Sequence, residues 1–434
     1  MHRPSSDSPL PNISHSEAWY ERAKACIPGA TQTLAKGATQ YVDGVAPKFL
    51  RRGKGCRVWD VDGNEFIDLT MAVGPVSLGY AYDRVDAAVR AQLEDGITFS
   101  LVHPLEVEVA ELIQGCVPGA EMVRFSKTGC DATSAAVRVA RAFTGRSAVA
   151  CCGYHGWHDW YIGTTPRSRG VPVEVQGLTR KFTYNDLDSV KAVLDGDVAA
   201  VILEPVLFEQ PQAGFLSELR RLCTENGTLL IFDEMWTGFR IAIGGAQEYF
   251  DVKADLACFS KAIANGMPLS VLCGRRDVMQ LFEDDVFFYT TFGGEALSLA
   301  AAKATILELR DQRVPEHLAQ MGERLKTGYN ELAASRGLNF TRAVGLPCRS
   351  MVTFDETAID PLLAKSLIQQ ELIRHGVLWS GFHNMSLSHQ PEDIDHILSA
   401  YALALSSLER AHREGTLESD IMGKPVQPVF RKTR

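Results

Sequence analysis

From about Ala81 to Val314 the chain alternates short β-rich apolar runs with stretches of helical spacing, and this narrows the fold more than any other feature. Strands are expected at 122–125, 148–152, 199–203, 229–233, 256–259 and 271–274, with helices at 132–143, 216–226 and 297–309. Strands separated by helices bury both faces of a sheet when they run parallel. Residues 81–338 are therefore read as an α/β large domain with a mostly parallel sheet, helical spacing continuing through 317–336. Residues 339–413 read as a smaller α+β domain, with strands near 351–354 and 377–379 and helices at 361–375 and 391–413. Residues 17–80 are expected to contribute to that domain through a helix at 17–27 and two strands, 57–61 and 65–69. Asp62-Gly63 between the two alternating runs is a hairpin signal. The same stretch has acids at calcium-loop spacing, but Glu65 stands where that loop needs glycine. Residues 1–16 read as a flexible arm and 414–434 as a polar tail.

The acidic balance, −9 with a pI near 5.7, argues against nucleic acid or an anionic membrane as partner. No apolar run reaches the roughly 20 residues of a membrane helix, and the polar N-terminus lacks a secretory core. Ten cysteines lie scattered without paired CxxC spacing, several within apolar runs. Free thiols in a reducing cytoplasm are the expectation.

Five constellations could carry chemistry. Phe125-Ser126-Lys127-Thr128-Gly129-Cys130-Asp131-Ala132 runs from strand through a small-residue turn into a helix, whose first amides can hold a phosphate. Asp131 could equally be a plain helix cap. Gly153-Tyr154-His155-Gly156-Trp157-His158 follows a core strand, at the edge where α/β sheets bind ligands. A flat ring could stack on Tyr154, or the aromatics could simply pack together. His155 and His158 are spaced like metal ligands, but no third ligand follows. Asp233, ending an apolar strand, could face a pyridinium nitrogen or cap a turn. Lys261, in Cys258-Phe259-Ser260-Lys261-Ala262, could form a Schiff base or be solvated. Tyr289-Thr290-Thr291-Phe292-Gly293-Gly294-Glu295 offers further phosphate donors or an ordinary glycine-rich helix entrance. Pyridoxal phosphate needs a lysine amine at one end and an acid beside its pyridinium nitrogen. Neither a Walker loop nor a GxGxxG fingerprint occurs at the phosphate turn, which counts against a nucleotide-binding oxidoreductase.

In this order, and with Trp59-Asp60-Val61-Asp62-Gly63-Asn64-Glu65-Phe66-Ile67-Asp68, Leu203-Glu204-Pro205-Val206 and Phe232-Asp233-Glu234-Met235-Trp236-Thr237-Gly238-Phe239-Arg240, the chain resembles the class III (ω-type) aminotransferases of pyridoxal-phosphate fold type I. Within them it is most similar to the glutamate-1-semialdehyde aminomutase subgroup, from about Ser16 to Arg413. The resemblance implies that Lys261 is the Schiff-base lysine and proton shuttle and that Asp233 pairs with the pyridine nitrogen. It places Tyr154 on the cofactor ring, Met235 on the other face, and His155 and Glu204 in the same surroundings. Thr128, Gly129 and Cys130 would hold the phosphate, and Thr291 would reach the neighbouring subunit's cofactor, implying a homodimer with shared sites.

The departures bear on substrate. The family's Ser-Gly-Thr-Glu-Ala is here Thr128-Gly129-Cys130-Asp131-Ala132, which loses a hydroxyl. Where aminomutases carry a serine and an arginine for the substrate carboxylate, this chain offers Thr33 and Lys36, and lysine lacks arginine's bidentate grip. A C-terminal Ser-x-Phe-Glu becomes Ser380-Gly381-Phe382-His383, making His383 a substrate candidate or a packed histidine. The expected function is amino transfer from a small-molecule donor to a carbonyl acceptor: a small aldehyde or ketone, or a sugar-like compound. The alternatives are intramolecular amino transfer or racemisation on the same scaffold, and a catalytically silent homologue acting through interactions. Retention of both Lys261 and Asp233 argues against silence.

Overall fold

The structure is a computed structural model, and residues 8–428 are described. The chain forms two compact units: Asp83–Glu316, and Met1–Tyr82 together with His317–Arg434.

The first unit is built on seven strands: β1 (Met122–Ser126), β2 (Ala148–Cys152), β3 (Thr179–Lys181), β4 (Val198–Leu203), β5 (Leu229–Asp233), β6 (Leu256–Phe259) and β7 (Ser270–Gly274). Their order across the sheet is β1-β7-β6-β5-β4-β2-β3. The run β6-β5-β4-β2-β3 is parallel, while β7 lies antiparallel to both β1 and β6. Every residue of β4, β5 and β6 is buried, as expected of strands covered on both faces. Apolar clusters fill the two sides of the sheet. One includes Ala136, Val139 and Ile231; the other Leu219, Leu230 and Phe232. The reversed direction of β7 has no sequence signature, because Val271, Leu272 and Cys273 are buried like the parallel strands beside them. The edge strand β3 escapes a hydrophobicity reading: it has three residues, Thr179-Arg180-Lys181, and edges tolerate cations.

The second unit joins both ends of the chain. Strands Leu50–Lys54, Arg57–Asp60 and Glu65–Asp68 form an antiparallel meander, extended by Val377–Leu378 running parallel to Glu65–Asp68. Asp60 shapes the Asp62-Gly63 hairpin: its Oδ1 accepts the amides of Asp62 and Asn64 at 3.0 and 2.8 Å. The Asp62 carboxylate turns the other way and takes the His15 and Ser16 amides at the start of helix Ser14–Cys26. A second sheet pairs Thr341–Leu346, Arg349–Phe354 and Phe382–Asn384. Helices Pro361–Arg374 and Pro391–Glu414 complete the unit.

Three boundaries differ from the sequence reading. Helix Val314–Ser335 spans the division at Glu316/His317, so the large unit ends there instead of at 338. Its buried Tyr329 bonds Thr341 at 2.7 Å within the small unit. The polar tail is docked as far as it is described: Ile421 and Val426 are buried, and Asp43 pairs with Lys424 through their backbones. The flexible arm also ends earlier than expected, since the buried Ser16 hydroxyl accepts the Lys48 amide at 2.8 Å. Met1 to Asp7 of that arm lie outside the described residues.

Candidate active site

Parallel strands deliver their carboxyl ends to one edge of the large unit's sheet. Ser126-Lys127-Thr128 leaves β1, Gly153-Tyr154-His155 leaves β2, Glu204 follows β4, Asp233 ends β5, and Ser260-Lys261 leaves β6. The sequence order scatters these residues over more than half of the unit, and the sheet collects them.

Asp233 is 2% exposed and both of its oxygens are fixed. Oδ1 accepts the Met235 amide at 3.1 Å, and Oδ2 lies 2.7 Å from Nδ1 of the buried His155. The other imidazole nitrogen, Nε2, lies 3.1 Å from the Cys152 carbonyl, which can only accept. His155 is thus held at both ring nitrogens, between the Asp233 carboxylate and a backbone carbonyl. His158 turns away to Ser134 at 2.6 Å, so the two histidines serve separate partners.

Glu204 takes the Tyr154 amide at 2.8 Å, fixing the turn after β2. Burial, then the neighbouring Asp233 charge, pushes its carboxyl above the ordinary range, with His155 and Lys261 among the charges opposing this. The turn needs glycine: Gly153 has φ 106°, and a β-carbon there would meet Glu204 Oε1 at 2.9 Å. The Tyr154 ring stays 55% exposed, its edge against Tyr161. Lys261 begins a 3-10 turn in the left-handed region, φ 52°, a conformation that costs a non-glycine residue about 1–2 kcal/mol. Such strain clusters where function fixes the backbone.

The small-residue turn after β1 opens a 16-residue helix, Gly129–Thr144. Thr128 and Asp131 form a reciprocal capping box, Asp131 accepting the Thr128 amide at 2.8 Å and the Ser126 hydroxyl at 2.9 Å. Asp131 is thus the cap, and the Gly129 amide at the first helical position has no acceptor inside the helix. A β-carbon on Gly129 would lie 2.8 Å from the Met235 sulfur, which brings Met235 against the turn. Burial raises the Cys130 thiol pKa.

This donor set fits pyridoxal phosphate. It provides an amine, a buried fixed acid, an exposed aromatic face, a thioether and a helix start with a free amide and the Thr128 hydroxyl. Lys261, Asp233, His155, Glu204, Tyr154, Met235, Thr128, Gly129 and Cys130 share this edge. Thr291 stands exposed in the turn before helix Ala296–Asp311.

The substrate candidates lie in the other unit. Lys36 lines a cavity of about 400 Å³ there, with Thr31, Tyr41, Phe49, Leu50 and Val73. Thr33 is exposed, and the threonine lining the cavity is Thr31, whose hydroxyl donates to the Thr33 carbonyl. His383 corrects the sequence reading. It is fully buried, with Nδ1 2.8 Å from the Ser350 hydroxyl and Nε2 2.7 Å from that of Tyr401, so both nitrogens are used inside the core.

A family model described as aminotransferase class-III matches residues 40–393. The chain belongs to the class-III aminotransferase family. This aminotransferase is 35% identical over 414 residues to 3-aminobutyryl-CoA aminotransferase of Cloacimonas acidaminovorans, covering 92% of this chain and 98% of that one. It is 36% identical over 418 residues to glutamate-1-semialdehyde 2,1-aminomutase of Syntrophobacter fumaroxidans, covering 89% and 96%. Among solved structures, the FumI protein of Sphingopyxis sp. MTA144, in its PLP internal aldimine form, superposes with a TM-score of 0.86 at 29% identity, covering 96% and 100%. The aminotransferase thus has the fold type I architecture and is a pyridoxal-phosphate-dependent enzyme.

The sequence reading missed Lys127 and Glu295, whose side chains meet at 3.0 Å across the turns that precede helices Gly129–Thr144 and Ala296–Asp311. The available signal was an opposite charge in each of two stretches otherwise made of small residues. Glu234 was also passed over. It is fully buried and accepts the Ala246 and Gln247 amides at 2.8 and 3.2 Å, and the Thr237 hydroxyl.

Proposed function

We propose that Lys261 carries pyridoxal phosphate and that the enzyme moves an amino group from a small donor to a small aldehyde or ketone, as a cytoplasmic homodimer. The observation that carries this reading is a lysine in a strained turn sharing one sheet edge with a buried acid whose two oxygens are fixed. When bound, the cofactor supplies an electron sink for negative charge on the substrate carbon next to nitrogen. Asp233, oriented by His155 and the Met235 amide, keeps a protonated ring nitrogen paired. The Lys261 amine takes and returns the proton at the substrate carbon, general acid–base work. Thr128, Gly129 and Cys130 would hold the cofactor's phosphate and Tyr154 and Met235 would pack on its ring, while Glu204 keeps the Tyr154 amide in place.

The small unit holds a cavity of its own, lined by Lys36. Its two lysines differ: Lys48 is held by Glu17 and by Asp43, the latter at 2.7 Å, and Lys36 has no carboxylate partner among the described residues. The remaining lining is mostly apolar, including Ala38, Pro47, Phe49, Leu50 and Leu378. Asp68, Thr70, Tyr41 and Tyr80 line it as well, so the cavity presents both signs of charge and hydroxyls beside its apolar walls. Leu101, Val102, Phe287 and Phe292 are 86%, 74%, 73% and 58% exposed on the large unit, Phe292 next in sequence to the exposed Thr291, and these are apolar side chains that a second copy would cover. Ten free cysteines support a reducing compartment. No helix among the described residues is long and apolar enough to cross a membrane.

Borohydride reduction of cofactor-loaded protein followed by peptide mapping tests the assignment. Label on Lys261 that is lost in Lys261→Ala is expected; an unlabelled Lys261 refutes it and favours a silent homologue. Intramolecular transfer is the second reading, favoured by the relative named glutamate-1-semialdehyde 2,1-aminomutase. Product formed from a single amino-aldehyde without external donor would establish it.

A further inference from the structure

Lys127 has no place in the chemistry described above, although it sits between β1 and the phosphate turn. Its amine lies 3.0 Å from Glu295 Oε1, and the two side chains are only 19% and 11% exposed. Glu295 is also the cap of helix Ala296–Asp311. Its Oε2 accepts the Leu297 amide at 2.7 Å and the Ser298 amide at 3.1 Å, and the Ser298 hydroxyl donates to Oε1. The same hydroxyl lies 3.1 Å from the Pro268 carbonyl, so its one proton faces two acceptors and holds the cap beside Pro268. A second contact joins the same two turns: a β-carbon on Gly293 would come within 3.0 Å of the Phe125 carbonyl. The turn bearing Thr291 is thus pressed onto the end of β1 by its backbone and tied there by one ion pair.

We propose that Lys127 and Glu295 are positioning residues that lock the turn carrying Thr291 to the phosphate turn at Gly129, so that cofactor retention and protomer association depend on each other. The proposal rests on the reading of the site as a pyridoxal-phosphate site in a homodimer. Thr128 and Gly129 serve the subunit's own cofactor, and Thr291 serves the partner's. A rigid link between them makes the phosphate held in one site report on the other across the interface. A free lysine at position 127 would instead swing away from the turn, and an unpaired Glu295 would leave a half-buried charge against the helix cap.

The test is a double-mutant cycle on the full-length protein with pyridoxal phosphate as the probe. Lys127→Met keeps the stem, and Glu295→Gln keeps an oxygen for the helix amides. Each single variant is expected to raise the cofactor's dissociation constant about tenfold, with a matching rise in the dissociation constant of the loaded dimer by sedimentation. The double variant is expected to be no worse than Lys127→Met, because the interaction is already gone and no charge is left unpaired. A purely structural role would lower thermal stability of the apoprotein and leave cofactor affinity within twofold; that result overturns the proposal. Additive losses in the double variant overturn it as well. Wild-type protein that takes up no cofactor removes the reading of the site itself, whereas wild-type uptake with unchanged variants removes the lock alone.

Discussion

Replacing His383 by glutamine separates a core role from a substrate role in one pair of measurements. Burial lowers the imidazole from its ordinary 6.5 to about 3, because no solvent reaches it and its partners, Ser350 and Tyr401, are neutral hydroxyls. The folded protein therefore holds the ring neutral while the unfolded chain protonates it below pH 6.5. Since the unfolded state binds more protons there, stability falls as pH falls, from 6.5 down to about 3. Between pH 7 and pH 5 the loss from this one group is about 2 kcal/mol. At pH 7 the substitution is expected to cost about 1–3 kcal/mol, for a bridge of two hydrogen bonds imperfectly replaced. At pH 5 the gap from wild type should shrink by about 2 kcal/mol, because glutamine does not titrate. Urea unfolding followed by circular dichroism at the two pH values reads both quantities, and other titrating groups cancel in the difference. Steady-state KM for the acceptor should stay within about twofold, a change worth less than about 0.5 kcal/mol. An acid limb identical to wild type, or a large rise in KM with unaltered stability, would refute the reasoning and return His383 to the substrate site.

Glu234 should show the opposite slope. Burial pushes its carboxyl up to about 7, so its contribution is present at low pH and is lost as pH rises from 4.5 through 7. Glu234→Gln is expected to gain on wild type by about 3 kcal/mol between pH 4 and pH 8 in the same unfolding assay. Gly156 has φ 108°, and a β-carbon there would overlap the Cys130 sulfur and lie 3.1 Å from its Cβ. Gly156→Ala should therefore lose about 2–3 kcal/mol in thermal unfolding and release cofactor on gel filtration. Cys130→Ser restores a hydroxyl in the first turn of the helix and should tighten cofactor binding about three- to tenfold by fluorescence titration. Unchanged affinity would mean that the backbone amide alone holds the phosphate at this position.

Much of the large unit was legible because its evidence is periodic and local. All six strands expected in the large unit reappear within a residue or two, and five of them are buried throughout, since a strand buried on both faces is a short apolar run wherever it stands. Strand direction is not local: β7 reads like its parallel neighbours, and only its pairing with Phe259 and Phe125 reverses it. Thr341–Leu346 and Phe382–Asn384 were missed because they carry polar residues, the exposed Arg342 and the buried His383, the latter satisfied by Ser350 and Tyr401. The same blindness hid the docked tail, where the apolar signal is two residues, Ile421 and Val426, in a polar stretch.

The site divides along the same line. Asp233 ends a strand and Tyr154 and Lys261 each follow one, so position along the chain already placed them at one edge, and chemistry then selected a cofactor with matching ends. What completes those residues comes from elsewhere: His155 fixes Asp233 from 78 positions away, and Glu204 fixes Tyr154 from 50. A polar residue's partner decides whether it is a tool or a filler, and sequence spacing carries no record of that partner. His383 and Lys127 show both errors of reading a charge alone. The first lies in a motif that resembles a substrate site yet is used up by Ser350 and Tyr401. The second lies in a turn expected to need only small residues, yet it reaches an acid 168 positions on that caps the helix behind Thr291. A charge is informative where its partner ties one turn of the site to another, which is why Lys127 says more about this site than His383 does.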